Sequence, residues 1–380
     1  VEDKAKIGMF YAWLGFSLYM SGRPRDSYPY LYKALELGEE LEDQQVIAYA
    51  CTWLAWALTE RGPVQDVISF GERAKELSTL FESDHYLYFK PLGAIAHASL
   101  FEGDRKRASE VGKALLEYGQ RHSNIRCLVI GNISMGMMHL IDDDVQPAIE
   151  SFKKAIATSA DIFYAQWPRL FLGMSYLQSE QLKEVEEALQ EVKLKEAEEA
   201  LQEVMIYSRE FGAGVLEHLA HAYLGVVSIY KGQLSHGLQM IKEAIRVCHE
   251  NGRTTFSALL EYTLGVVYLR LVDRAEPISL SLMAQDIGFL LESTASASEN
   301  AEEHFNKAIE IAKDIGAKGI LGQAYLGLGL LYKEKEEEEK ARACLAEASR
   351  IFEQCNAERY LQRTKEALIS LRRRHGGRFQ

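Results

Sequence analysis

Proline is scarce in this chain, with seven in 380 residues. Because proline removes a backbone N–H and breaks helices, its rarity leaves long helices unopposed. With 47% of the residues apolar, it also excludes a disordered, Pro-rich linker. Cysteine is thin as well. Cys51, Cys127, Cys248, Cys344 and Cys355 are scattered with no CxxC pair, which excludes a zinc knuckle and a disulfide framework. A reducing compartment fits best, and a cytoplasmic location is expected.

Positive charge is in short supply: 43 Lys and Arg stand against 55 Asp and Glu, a net charge of −12. A duplex-binding surface needs clustered basic residues, so a nucleic-acid partner is not expected. The one basic cluster, Arg372, Arg373, Arg374 and Arg378, is interleaved with Gly376 and Gly377 and reads as a frayed, solvated tail. No uncharged apolar run reaches the ~18 to 20 residues of a membrane span. The nearest, Cys127 to Ile141, carries Asn132, Ser134 and His139, so no membrane partner is expected. The chain opens Val-Glu-Asp-Lys with no signal-peptide pattern, and is expected to be a piece of a longer polypeptide.

Catalytic motifs are missing too. There is no GxxxxGK[ST], HExxH or GxSxG, and no Asp-rich calcium loop, so neither catalysis nor a cofactor is expected. Glu217-His218-x-x-His221 puts two imidazoles on one helix face, but a zinc site wants further ligands and none is suggested nearby. No metal is expected. Asp142-Asp143-Asp144 falls at a turn ahead of a helix, where acids complement the helix N-terminus, and that is read as its whole role.

What the chain has is repetition. In Gln323 to Phe352, Leu328-Gly329 precedes Tyr332, and Ala341, Leu345 and Ala348 then recur along one helix face. Leu-Gly-like anchors appear at Leu14-Gly15, Leu54-Ala55, Ile95-Ala96, Met135-Gly136, Leu172-Gly173, Leu224-Gly225, Leu264-Gly265 and Leu328-Gly329, with spacings of 40, 41, 40, 37, 52, 40 and 64. Eight units follow, and in most a triad such as Ser27, Leu31, Ala34 or Ala148, Phe152, Ala155 begins twelve residues after the anchor. Gly22, Gly62, Gly103 and Gly232 are placed at turns inside the hairpins, and Gly38, Gly212, Gly252 and Gly316 after second helices.

The pattern resembles the tetratricopeptide repeat, which carries L-G-x-x-Y in a first helix and A-x-x-x-F-x-x-A in a second; the period near 40 and the missing unit-closing Pro depart from it. The fold class this implies is all-α: a right-handed superhelical solenoid of antiparallel helix hairpins, about eight units plus a capping helix, in one body over residues 1–380. The runs Pro277 to Ser293 and Ala301 to Lys333 are similar to the C-terminal repeat region of bacterial signalling proteins that carry a nucleotide-cyclase domain and a P-loop ATPase module. The resemblance thus implies a non-catalytic interaction, sensor or scaffold module.

Two spacings are irregular. The 52-residue interval contains a twelve-residue tandem duplication over residues 182–205, LKEVEEALQEVK followed by LKEAEEALQEVM. Neither copy holds Gly or Pro, so one continuous helix from about Leu182 to Arg209 is expected, with the first-copy stripe Val185, Leu189 and Val192 packing inward and the later units rotated out of register. The 64-residue interval holds an insertion over residues 272–298, read as a short amphipathic helix through Leu282, Met283, Ile287, Leu290 and Leu291, then a polar loop from Ser293 to Ser298. Residues 357–374 read as the capping helix, with Tyr360, Leu361, Thr364, Leu368 and Leu371 inward.

In the family it resembles, first helices line a concave groove. That correspondence proposes Phe16, Tyr19, Tyr49, Trp56, His97, Phe101, Met137, Trp167 and Met174 as a partner-binding groove, with Met9, Met20 and Ile141 beside them. The members that clamp a terminal carboxylate place Lys, Asn and Arg early in this groove, where this chain has Ala12 and Phe16, so that ligand is disfavoured. A protein or peptide partner, including other domains of the parent polypeptide, fits the apolar groove. Three further readings stay open: the same side chains bury one another in a tight superhelix, an exposed apolar face drives self-association, or the chain is an enzyme whose site the sequence does not reveal, which would show as a deep pocket of converging polar residues with shifted pKa values.

Overall fold

The computed structural model of the chain describes residues 2–179, 187–272 and 287–376. Among them are seventeen α-helices and no strand. They form eight antiparallel hairpins: α1 (Glu2–Met20) with α2 (Pro24–Leu41), α3 (Gln44–Thr59) with α4 (Val64–Ser78), α5 (His85–Glu102) with α6 (Arg105–Arg121), and α7 (Ile125–Ile141) with α8 (Val145–Thr158). The series continues with α9 (Ile162–Ser179) and α10 (Glu187–Phe211), α11 (Gly214–Tyr230) and α12 (Leu234–Glu250), α13 (Thr254–Val272) and α14 (Ile287–Ile315), and α15 (Lys318–Glu334) and α16 (Glu338–Gln354). A last helix, α17 (Glu358–Gly376), lies on α16. The protein is an all-α solenoid, each hairpin burying a stripe it could not bury alone.

One contact recurs in six of the eight hairpins. The anchor glycine lets a large side chain of the second helix lie against the backbone of the first: Gly15 under Leu31, Gly136 under Phe152, Gly225 under Ile241 and Gly329 under Leu345, always sixteen residues on. A Cβ on Gly136 would come 2.6 Å from the Phe152 ring, so even alanine forces the pair apart.

The same contact locates both irregularities. Gly173 packs under Leu201, twenty-eight residues on, and Gly265 under Phe305, forty on. The extra twelve and twenty-four residues therefore precede the packing stripe in each hairpin. This corrects the expected register in unit five. The second copy supplies the inward stripe, with Ala197, Leu201 and Val204 all fully buried, whereas Val192 of the first copy is 53% exposed. Residues 182–186, Val185 among them, lie outside the described residues. The described helix α10 runs unbroken across the junction of the copies, and α9, α10 and α11 pack on one another in the same way as the other hairpins.

Three further expectations are corrected. Ser293 to Ser298 is not a loop but part of α14, and Ala297 is fully buried; Ile287, Leu290 and Leu291 of the expected insertion helix are in α14, whereas residues 273–286, with Leu282 and Met283, lie outside the described residues. Gly38 does not close α2. It lies within the helix against Ile47, and Glu42 takes the left-handed conformation at φ 54° instead. Arg372 to Arg374 are not frayed but helical, as the last turns of α17. On that helix Tyr360, Thr364, Ala367 and Leu371 are buried.

The superhelix closes on itself after five hairpins, which period arithmetic does not show. The turn at Gly22 lies against Gly214, that at Gly62 against Ile315, and that at Gly103 against Cys355. A Cβ on Gly103, held at φ +86°, would meet the Cys355 Sγ at 2.2 Å. The seam continues to Asp143 and Asp144, where Arg359 donates to the Asp144 carboxylate at 2.8 Å and Arg363 to Asp143 at 3.0 Å. The acidic triplet thus docks the last helix, beyond the helix-start role its sequence suggests.

At the centre of the seam is an ion pair with no access to solvent. Arg253 Nε donates to Glu60 Oε2 at 2.5 Å, and Arg253 Nη2 donates to the Val215 carbonyl at 2.5 Å. The Thr255 amide donates to the Glu60 carbonyl at 2.8 Å. Burial pulls the Glu60 carboxyl above its ordinary pKa, and the Arg253 guanidinium offsets part of that rise.

Candidate functional site

The first helices α1, α3, α5, α7 and α9 face one another across the N-terminal half of the solenoid and enclose a cavity of about 50 Å³. Its wall is aromatic: Tyr19 from α1, Trp53 and Trp56 from α3, and Phe163, Tyr164, Trp167 and Phe171 from α9. Ile130, Ile133 and Met137 from α7 complete it. The small residues Gly93 and Ser134 make the room; a Cβ on Gly93 would come within 2.9 Å of the Trp56 ring.

Five of the nine groove residues expected from sequence, Tyr19, Trp56, His97, Met137 and Trp167, line this cavity. Met174 does not. It lines a second cavity of about 160 Å³ in the C-terminal half, with Ile141, Tyr223, Tyr262, Gln323, Tyr360 and Arg363. Phe16, Tyr49 and Phe101 line neither. Phe16 stacks on Trp53 at 3.7 Å, Phe101 on His97 at 4.8 Å, and the Tyr49 hydroxyl donates to Asp84 at 2.8 Å. Tyr19, His97, Phe101 and Met137 are buried and the other five are half-buried, so the inner wall is partly closed by its own side chains.

Lys90 is the site residue that sequence reasoning missed. It lies on α5 just before Pro91, and it is 93% buried. Its Nζ sits 4.9 Å from the centroid of the Tyr164 ring, 5.3 Å from Trp56, 5.5 Å from Trp53 and 5.7 Å from Tyr86, a four-sided cation–π cage. The cage is anchored, because Trp56 Nε1 donates to the Lys90 carbonyl at 2.8 Å. Among the described residues no carboxylate pairs with the ammonium, although the charge of Asp161 acts on it. Burial, helped by repulsion from Arg126, pulls its pKa down to about 7.

Other polar groups of the wall are also unpaired. His97 Nε2 and Trp53 Nε1 are buried with no hydrogen-bond partner. Burial holds the His97 imidazole neutral, with its pKa lowered to about 4. The Ser134 hydroxyl is spent on the Ile130 carbonyl at 2.9 Å. The arrangement sets donor groups and a lysine of lowered pKa in an apolar wall.

Elsewhere, among the described residues, no three His, Cys, Asp or Glu side chains converge as metal ligands. His218 and His221 both have pKa values lowered chiefly by burial. All five cysteines carry free thiols. One described helix, α13, is long and apolar enough to cross a membrane, and more than half of it is buried in the solenoid.

No protein-family model and no curated protein matches the chain. Solved structures match its fold. A monomeric mutant of IFIT1 solved with Gppp-AAAA superimposes with a TM-score of 0.52 at 15% identity, covering 95% of this chain and 77% of that one. A Rap protein complexed with competence and sporulation factor gives 0.50 at 10% identity, covering 97% and 98%. The human IFIT1 dimer with m7Gppp-AAAA gives 0.50 at 16%, covering 90% and 68%. At such identities the likeness is one of fold, that of a helical repeat solenoid.

Proposed function

We propose that the chain is a tetratricopeptide-type interaction module with no catalysis of its own, whose inner wall receives an apolar or aromatic segment of a protein partner. It serves as the sensor or scaffold part of a larger bacterial signalling protein, in the cytoplasm, with no metal, cofactor, membrane or nucleic acid required. The observation that carries this reading is the convergence of five first helices on one aromatic cavity with half-buried Trp56 and Trp167 in its wall. Aromatic anchors of this kind commonly dominate binding energy. The resemblance to cyclase- and ATPase-bearing proteins supports the signalling role. The acidic net charge supports a polypeptide over a nucleic acid.

The test begins with capture of the partner on the immobilised chain, followed by titration of the identified segment. Trp56→Ala and Trp167→Ala should each weaken binding by ~1 to 3 kcal/mol while the far-ultraviolet spectrum stays helical. Undiminished binding by both variants would overturn the reading. A second reading, self-association, is favoured by the exposed apolar side chains of α1, Ile7, Phe10 and Trp13. A mass that doubles with concentration in light scattering, and returns to the monomer in Phe10→Glu, would establish it.

A further inference from the structure

We propose that the N-terminal cavity is a small-molecule site for an apolar carboxylic acid, its carboxylate meeting Lys90 and its body lying among the caging rings. The inference rests on the reading of the inner wall as a binding surface, but not on the partner being a polypeptide.

The first support is an imbalance. A buried ammonium is normally paired with a carboxylate or hydrogen-bonded to carbonyls, because desolvating it alone is costly. Among the described residues Lys90 makes neither contact, and its four rings compensate only in part. The nearest acid, Asp161 at the head of α9, is engaged with Arg126 at 3.4 Å. Arg126 also lies over the Tyr164 ring at 5.4 Å, adding positive potential on that side of the cage.

The second support is the kind of group left unpaired. Lys90 and the Trp53 indole can only donate, and the His97 imidazole can donate from Nε2 in one of its neutral forms. The Ser134 hydroxyl already donates elsewhere. What would complete the set is an oxygen acceptor, and one negative charge would neutralise Lys90. A carboxylate supplies both. The cavity, about 50 Å³, holds a head group of that size, and the remainder of the ligand is left to lie along Trp56 and Trp167. A phosphate is disfavoured because a second charge would remain in an apolar enclosure with one cation to meet it.

The experiment is calorimetric titration of the whole chain with phenylacetate, 3-phenylpropionate and octanoate, each beside its primary amide. At least one acid should bind at least tenfold tighter than its amide at pH 6.5. Lys90→Met should bring that ratio close to one while leaving the helical spectrum intact. The proposal is overturned if no acid binds, if acid and amide bind alike in the wild type, or if the ratio survives in Lys90→Met. The wild-type comparison decides even if the variant does not fold. N-acetylated peptides ending in Phe, free or amidated, form a control arm; tight binding there with none to the free acids would also overturn it. An acid–amide split alongside undiminished partner binding by Trp56→Ala and Trp167→Ala would sink the peptide reading alone, and the reverse pattern this one alone.

Discussion

The two inner cavities are built from the same element, the first helix of a hairpin, and they treat polar groups in opposite ways. In the C-terminal cavity several are matched within the chain. Gln178 Nε2 donates to the Leu140 carbonyl at 3.1 Å and to Asp143 Oδ1 at 2.7 Å, Gln323 Nε2 to the Tyr360 hydroxyl at 2.9 Å, and Arg363 to Asp143 at 3.0 Å. In the N-terminal cavity Trp53 Nε1 and His97 Nε2 have no such partner among the described residues, and Lys90 Nζ faces four rings. Folding selects for matched polar groups, so the matched cavity is accounted for by stability. The unmatched one lowers stability and needs another reason to exist, which a ligand provides. Substitutions should therefore act with opposite sign in the two cavities.

The largest effect is expected at the seam that backs the first cavity. Tyr19 lines that cavity and is also held beside the buried Glu60 and Arg253. Arg253→Met leaves Glu60 buried without its cation, and loss of one partner of a buried pair costs ~3 to 5 kcal/mol. Adding Glu60→Gln removes the orphaned charge and should restore much of that loss. Chemical denaturation of both variants checks it. If the double variant is no more stable than Arg253→Met, the ion pair is not what couples the two turns of the superhelix.

Next comes Lys90, where the sign reverses. Its folded pKa, about 7, lies below its ordinary value of 10.5. Below pH 7 the folded and unfolded chains both carry the proton, and the full cost of burying the charge is present. Between pH 7 and 10.5 the unfolded chain binds the proton that the folded chain has released, so stability rises with pH across that window. Each tenfold loss of proton affinity corresponds to ~1.4 kcal/mol, which puts the cost at a few kcal/mol. Lys90→Met should therefore melt higher than wild type at pH 6, and the gap should narrow by pH 9. A gap that is absent at pH 6, or that widens with pH, would show that the ammonium is not confined as the rings imply.

The hairpins were legible in the sequence because a glycine and a large residue sixteen apart leave a periodic trace, and the all-α solenoid follows from it. What periodicity carries poorly is the effect of an insertion. Two nearly identical copies in tandem have the same pattern, and only the fit of Leu201 under Gly173 decides which one packs. Contacts between successive turns of the superhelix leave no local trace at all. Glu60 and Arg253 are 193 positions apart, and each reads alone as a surface charge. The aromatic half of the candidate site was visible as side chains on first-helix faces. Lys90 was not, since a lysine before a proline in a degenerate repeat looks like a helix end. The signal that could have found it is its position on a first helix, on the side that carries His97 seven residues later.

The smallest effects should come from the cap, where the C-terminal cavity meets solvent. Arg363 is half-exposed but pairs with an Asp143 side chain that is only 12% exposed, whereas Arg359 and Asp144 are 57% and 32% exposed. Water and salt screen the second pair far more than the first, and exposed pairs are typically worth ~0 to 1 kcal/mol. Arg359→Ala should thus change global stability by less than about 1 kcal/mol, and even that should vanish in about 0.5 M salt. Arg363→Met should cost somewhat more, because it leaves the sheltered Asp143 carboxylate with one donor, Gln178, in place of two. Since repeats unfold partly by neighbour, both losses should appear first as faster amide exchange in α17, with α5 and α7 unchanged. If Arg359→Ala loosens α5 and α7 as much as α17, the cap holds the whole superhelix closed and the two cavities are not independent.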